Sequence, residues 1–265
     1  MRHVGAIAGR ELRSLFVSPV AYVVLTLWSV LAGFFFLSEV IQFGNQVEQL
    51  QELGAFEELR DWNLNDHLLM PFYGTMWIVL VFAIPGISMG LLAGEKANRT
   101  EELLLTSPLS IWEIVVGKYL AGASFVFVMT LIVAFYPALL FVYGDPEVGK
   151  TLAGILGLFL VSLSYVAVGL FASSLTRNYL VAFFVAFGIL LTLMMLPFIA
   201  ELGASGDTFG GGGGVASTLR WISTAGHFEQ IAKGWIDSGD LFYFFAFPLA
   251  FLVLAKTAVE SVRWR

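Results

Sequence analysis

The chain has 265 residues, of which 58% are hydrophobic and only 13% are charged, and its mean hydropathy is +0.83. No soluble core of this length could bury so much apolar surface, so the composition excludes a water-soluble protein and predicts a membrane protein. A net charge of −6 argues against nucleic acid as a partner, and the lack of cysteine excludes disulfides and thiolate metal sites. His3, His67 and His227 lie far apart in the sequence, which argues against a zinc site.

The first segment of the chain has an amphipathic pattern with helical spacing. Its apolar residues are Val4, Ile7, Ala8, Leu12, Leu15 and Phe16, and its charged residues are Arg2, Arg10, Glu11 and Arg13. Pro19 should end this helix. We therefore expect a helix that lies in the membrane interface, with a frayed soluble tail as the alternative.

Apolar runs long enough to cross a bilayer follow this segment. A helix needs roughly 20 mostly apolar residues to span the hydrocarbon core, and about six runs approach or meet that length. They are Pro19–Leu37, Leu68–Leu92, Tyr119–Tyr143, Leu152–Ser173, Leu180–Ala200 and the shorter Leu241–Ala255. The sequence therefore predicts an all-α membrane protein with about six spans.

The basic residues divide unequally between the two sides of such a bundle. Ten lie on the side that holds both termini and four lie on the other side. Because cytoplasmic loops are rich in Lys and Arg, we expect both termini and the loop 94–118 to be cytoplasmic, with outer loops at 38–67 and 201–240. This division leaves the span interiors without ionisable residues, which argues against a proton-driven transporter or an ion pump.

Two glycine patterns have competing interpretations. Gly144–Thr151 matches the P-loop pattern G-x-x-x-x-G-K-T, but it follows an apolar helical run instead of a strand and is predicted to face outward. We expect a tight turn there and no nucleotide site. Gly86, Gly90 and Gly94 are spaced four apart in the second span, and such a stripe permits close helix packing either within the chain or between subunits.

The loop between the second and third spans carries the signals of a short cytoplasmic helix. The relevant residues are Thr100 as its cap, Glu101 and Glu102 in its first turn, Leu103, Leu104 and Leu105 on its apolar side, and Pro108 at its end. Ser110 and Glu113 then form a capping box that starts the next helix. A helix of two turns can bind in a partner's groove, but an ordinary interfacial connector has the same pattern.

This loop resembles the signature of ABC-2-type transporter permeases. The matching residues are Glu95, Thr100, Glu102, Leu103, Leu104, Leu105, Pro108, Ser110, Ile114, Val115, Gly117 and Lys118. Arg99 departs from the pattern, because the family usually has glycine there. The segments Arg10–Val23 and His227–Phe245 are similar to the gliding-motility-type branch of these permeases.

The resemblance implies one transmembrane domain over residues 1–265, with an elbow helix at 1–18, in the cell's inner membrane. It implies a permease subunit that pairs with cytosolic ATPases, which bind ATP and Mg, and with a second copy or a paralogue of itself. The helix Glu101–Ser107 would couple the ATPases to export of a lipid-like, amphipathic or polymeric substrate. An outer accessory protein and membrane lipid are further candidate partners.

Two other functions compete with transport. A membrane anchor or assembly subunit for an ATPase complex would need the same docking residues. A polytopic membrane enzyme is disfavoured, because the acidic pairs Glu57/Glu58 and Glu101/Glu102 are predicted on opposite sides of the membrane and lack a nearby histidine. The sequence predicts no catalytic residue, cofactor site or metal site in the chain itself.

Overall fold

The computed structural model describes residues 2–98, 109–205 and 213–263, which form helices and short connections without a strand. Within these ranges, six helical segments are long and apolar enough to cross a membrane. They are span 1, Pro19–Glu52; span 2, Asn65–Ala97; span 3, Ile111–Tyr143; span 4, Val148–Leu175; span 5, Tyr179–Glu201; and span 6, Ser238–Ser261. The predicted all-α membrane fold with six spans is confirmed.

Shorter helices lie before and between the spans. They are the N-terminal helix Arg2–Val17, Phe56–Asp61, and the pair Gly213–Ile222 and Thr224–Ala232. Span 2 itself consists of a π-helical turn at Asn65–Leu69, the α-helix Met70–Ser88 and the α-helix Gly90–Ala97. The helices of spans 5 and 6 run on to Ser205 and Arg263. The regions 38–67 and 201–240, which were predicted as outer loops, are therefore largely helical where the structure describes them.

Pro19 separates the first two helices as its chemistry predicts. The N-terminal helix ends at Val17, and the Ser18 side chain accepts a hydrogen bond from the Val20 amide at 3.3 Å. Pro19 occupies the first helical turn of span 1, where its missing N–H has no partner to lose. Span 1 has 34 residues, so its axis is about 50 Å long and exceeds the hydrocarbon core of about 30 Å. Part of its helix must extend beyond the apolar layer.

Span 4 lies in the centre of the bundle. The apolar window of span 4 is 67% buried, against 17% for span 1 and 22% for span 5, so the latter two present most of their apolar surface outward. Glycines allow span 2 to approach span 4. A Cβ atom at Gly169 would lie 1.9 Å from the Ser88 hydroxyl oxygen, and one at Gly154 would lie 2.3 Å from the Tyr73 ring.

The connection between spans 3 and 4 is the turn that the sequence suggested as an alternative to a P-loop. Span 3 ends at Tyr143 and span 4 begins at Val148, so Lys150 lies in the first helical turn and not in the turn itself. The Asn65 side chain accepts a hydrogen bond from the Glu147 amide at 2.7 Å, and Lys150 Nζ lies 3.5 Å from an Asp66 carboxylate oxygen. A helix precedes this turn, where a P-loop requires a strand.

Candidate functional site

Four charged side chains meet where span 2 ends and span 3 begins. Lys118 Nζ lies 2.9 Å from Glu95 Oε1 and 3.3 Å from Glu11 Oε1. Arg10 lies 2.8 Å from Glu11 and 3.6 Å from the same oxygen of Glu95. We call Arg10, Glu11, Glu95 and Lys118 the charged cluster. It joins the N-terminal helix to spans 2 and 3.

Lys118 corrects the prediction that every charged residue lies outside the spans. The capping box of Ser110 and Glu113 is confirmed, and it starts span 3 at Ile111 instead of Tyr119. Lys118 is therefore about two turns inside the helix, and its side chain is only 2% exposed. A buried ammonium is tolerated only with close counter-charges, and the carboxylates of Glu11 and Glu95 supply them.

A glycine brings the N-terminal helix against span 3. A Cβ atom at Gly117 would lie 2.7 Å from Ile7 Cγ2 and 3.3 Å from the Val4 carbonyl oxygen. Ile7 and Glu11 lie on the same face of their helix because they are one turn apart. Glu11, which the amphipathic pattern placed on the polar face, consequently points toward Lys118 and is 19% exposed.

The helix of span 2 is interrupted near its end, and the Ser173 side chain of span 4 forms hydrogen bonds with the backbone there. The Ser173 hydroxyl oxygen accepts hydrogen bonds from the amides of Leu92 (3.0 Å) and Ala93 (2.8 Å). The same hydroxyl donates to the Met89 carbonyl at 2.8 Å. The short helix Gly90–Ala97, which contains Glu95 and leads into the predicted docking segment, is thereby tied to the central span.

The predicted glycine stripe has two different environments. A Cβ atom at Gly94 would lie 2.9 Å from the Tyr179 hydroxyl oxygen, and one at Gly90 would lie 3.5 Å from the Tyr179 ring. Gly86 has no atom within 4 Å of such a Cβ among the described residues. Gly90 and Gly94 therefore pack within the chain against span 5, whereas Gly86 lies on an open face.

The predicted docking helix falls outside the described residues. Thr100, Glu101, Glu102, Leu103, Leu104, Leu105 and Pro108 all belong to the segment 99–108. Its described neighbours, Asn98 and Leu109, follow span 2 and precede span 3 at the end of the bundle that holds the charged cluster. The helix stays a prediction, while the position of its two attachment points is fixed.

A buried acid and histidine pair lies at the other end of the bundle. His227 Nδ1 is 2.6 Å from Asp240 Oδ1, and His227 Nε2 is 2.9 Å from the Trp221 carbonyl oxygen. A carbonyl oxygen only accepts hydrogen bonds, so Nε2 carries a proton and both ring nitrogens are occupied. This arrangement leaves His227 without a nitrogen to act as a catalytic base, and it fixes span 6 to the helix Thr224–Ala232.

The charged cluster and the His227–Asp240 pair could not be predicted from the sequence, for the same reason. In each, the members lie on different helices, and the spacing of His227 and Asp240 does not indicate a pair. Counting forward from the capping box would have placed Lys118 inside span 3 and so indicated a buried cation. Among the described residues, no three His, Asp or Glu side chains are grouped so as to hold a metal ion.

Comparison with known families agrees with the fold. The family described as "ABC-2 family transporter protein" matches residues 6–261, which is almost the whole chain. The match is to the family, and the similarity to its gliding-motility-type branch stays a prediction. No curated protein matches the chain. The chain belongs to the ABC-2 transporter family and is a membrane-spanning permease component of an ABC transporter.

Proposed function

We propose that the chain exports a lipid-like, amphipathic or polymeric substrate, driven by cytosolic ATPases that dock on the helix Glu101–Ser107. The charged cluster supports this proposal most directly. Glu95 precedes the docking segment and Lys118 follows it, and their ion pair, with 2.9 Å between Lys118 Nζ and Glu95 Oε1, joins span 2 to span 3 on either side of the segment. A force applied to the segment would then move the ends of spans 2 and 3 together.

The contacts of the short helix Gly90–Ala97 extend this path to the centre of the bundle. Ser173 binds its first turn through three backbone groups, and Lys96 Nζ donates a hydrogen bond to the Ser174 carbonyl at 2.6 Å. Span 4 is the most buried span. Coupling of this kind requires two arrangements of the spans that the nucleotide-bound and nucleotide-free ATPases favour differently.

The surface of the spans supports an apolar or amphipathic substrate and a second subunit. Phe34 on span 1 is 64% exposed, and Phe184 on span 5 is 65% exposed. These spans bury the smallest share of their apolar windows, so they offer the largest apolar area for a second permease copy or paralogue. We propose that the chain lies in the inner membrane. ATP and Mg bind only in the partner ATPases, on the cytoplasmic side of this membrane.

ATP hydrolysis by the reconstituted complex separates transport from simple anchoring. The purified chain and its ATPases are placed in liposomes, and hydrolysis is measured with and without candidate lipids and amphiphiles. An exporter should hydrolyse ATP several times faster with its substrate. Ser173→Ala should retain the ATPases but lose much of this stimulation, because the short helix is released from span 4. An anchor would show the same rate with every compound tested.

A further inference from the structure

An apolar groove of about 330 Å³ runs along span 6 on the side of spans 3 and 4. Span 6 lines the groove with one face of its helix, from Leu241 to Leu252. Leu160 and Leu163 of span 4 and Tyr119 of span 3 complete the lining. No charged side chain is among these described residues, and each of them lies about three helical turns or more along the chain from an undescribed residue.

The groove has no free polar side-chain group that would hold water. The only polar side chain in its lining is Tyr119, whose hydroxyl donates a hydrogen bond to the Leu163 carbonyl at 3.3 Å. A water molecule in a cavity needs about two to four polar partners, and cavities lined by leucine and phenylalanine stay dry and bind apolar molecules. The occupant of the groove should therefore be apolar.

The groove is continuous with the surface that faces the membrane. Phe245 and Leu249, which line it, are 73% and 47% exposed, and Phe242 beside them on span 6 is 65% exposed. Such residues are in contact with lipid in a membrane-spanning helix. Spans 1 and 5, which we proposed as the surface for a second permease copy, line no part of the groove.

The dimensions of the groove fit one hydrocarbon chain. Leu241 and Leu252 are 11 residues apart, which is about 16 Å along the helix axis. The volume of 330 Å³ then gives a mean cross-section of about 20 Å². A helix is about 10 Å across and is too wide, while one inserted side chain would fill only part of the length. An extended hydrocarbon chain advances about 1.25 Å per carbon–carbon bond, so roughly 13 carbon atoms would fill the groove.

The Leu241 end of the groove lies nearer to the membrane surface. Span 6 begins three residues before Leu241, at Ser238, whereas Leu252 lies past the middle of the span. Trp235 and Ile236 directly precede span 6 and are 78% and 50% exposed. Tryptophan is enriched at the level of lipid headgroups, so a lipid headgroup can lie beside this end while its chain extends toward Leu252.

We propose that the groove binds one acyl chain of a membrane phospholipid, with the headgroup at the Leu241 end and the end of the chain between Tyr119 and Leu252. Lipid surrounds the spans in any case, so binding gains little from the hydrophobic effect. It gains packing contacts instead, because three spans surround the chain and the chain fills space that would otherwise be empty. The site does not depend on export, since its lining is the same whether the chain transports a substrate or anchors an ATPase.

Photolabelling of the purified full-length chain in liposomes tests the proposal. The probe is phosphatidylcholine with a diazirine near the end of a palmitoyl chain, and the labelled residues are identified by mass spectrometry. Phe127 is the internal reference, because it lies in the middle of span 3, is 50% exposed and does not line the groove. Tyr119 and Leu252 should be labelled about fivefold more than Phe127, since a chain held in the groove stays beside them.

Leu249→Trp and Leu254→Trp form a matched pair of variants. Both leucines lie on span 6 and are 47% and 45% exposed, but only Leu249 lines the groove. Leu249→Trp narrows the groove and should lower the labelling of Tyr119 and Leu252 to the level of Phe127, while Leu254→Trp should stay within about twofold of wild type.

Three results would overturn the proposal. Equal labelling of Phe127 and the groove residues in the wild-type chain would show that lipid only passes over the groove, and this comparison needs no variant to fold. A wild-type pattern in Leu249→Trp would place the bound chain elsewhere. Labelling of Tyr119 and Leu252 well below that of Phe127 would assign the groove to a covering protein, such as a second copy of the chain.

Discussion

The ammonium nitrogen of Lys118 lies 2.9 Å from a carboxylate oxygen of Glu95, and the two residues flank the predicted docking segment on both sides. The N-terminal helix supplies the second carboxylate, because Glu11 Oε1 lies 3.3 Å from the same ammonium nitrogen. The N-terminal helix is therefore part of the structure around the docking segment, and not merely a segment resting in the interface.

Replacing Lys118 should destabilise the protein strongly. Lys118→Met leaves the carboxylates of Glu11 and Glu95 together in a poorly solvated place, and removing one partner of a buried ion pair costs about 3–5 kcal/mol. Thermal unfolding of the purified chain, followed by the fluorescence of its 7 Trp residues, measures the effect. Lys233→Met is the control, because its partner Glu229 is 56% exposed and such pairs contribute about 0–1 kcal/mol. Equal unfolding midpoints of the two variants would show that the charged cluster does not stabilise the fold.

A methyl group at Gly117 should separate the N-terminal helix from span 3. Gly117→Ala places a Cβ atom 2.7 Å from Ile7 Cγ2, and such overpacking costs about 1–3 kcal/mol. Shortening the opposing side chain in Gly117→Ala/Ile7→Ala should recover part of the loss in unfolding midpoint. Gly86→Ala has open space and should be neutral or slightly stabilising. A Gly117→Ala variant as stable as Gly86→Ala would contradict the close packing of the two helices.

The spans could be predicted from the sequence because length and apolar content are properties of a single segment. The capping box of Ser110 could be predicted for the same reason, since Glu113 lies on the next turn. The charged cluster could not, because Lys118 is neutralised by residues of two other helices. Counting uncharged residues started span 3 after Lys118 and so treated a buried cation as a loop residue.

The glycine stripe shows the same limit. Its spacing indicated a surface for close packing, but the choice between an internal and an external neighbour depends on where Tyr179 lies in three dimensions. His227 and Asp240 likewise look like two isolated polar residues until the helix Thr224–Ala232 folds against the start of span 6.

Cysteine labelling tests the orientation of the bundle. The chain contains no cysteine, so each introduced thiol is the only target for a membrane-impermeant maleimide. Glu57 and Asn98 are both exposed and lie at opposite ends of span 2, Glu57 before it and Asn98 after it. Because the basic residues collect on the side of Asn98, Asn98→Cys should react only from the cytoplasm and Glu57→Cys only from outside. The reverse pattern would overturn the proposed orientation.

Lys150 should have no role in nucleotide binding. Its ammonium lies 3.5 Å from carboxylate oxygens of Asp66 and Glu147, in the first turn of span 4. Lys150→Ala should leave ATP hydrolysis by the assembled complex within about twofold of wild type, because no strand and no phosphate-binding loop precede this turn. Complete loss of hydrolysis in a normally assembled complex would restore the P-loop interpretation.

Co-purification of the partner ATPase with Leu104→Asp tests the proposed docking helix most directly. An unpaired carboxylate buried at a contact costs several kcal/mol, which weakens binding by about a hundredfold or more. Leu53→Asp is the matched control, because Leu53 is 73% exposed at the end of the bundle predicted to face outward. We expect Leu104→Asp to insert into the membrane and lose the ATPase, while Leu53→Asp retains it. Full recovery of the ATPase with Leu104→Asp, together with wild-type stimulation of hydrolysis, would contradict coupling through this segment.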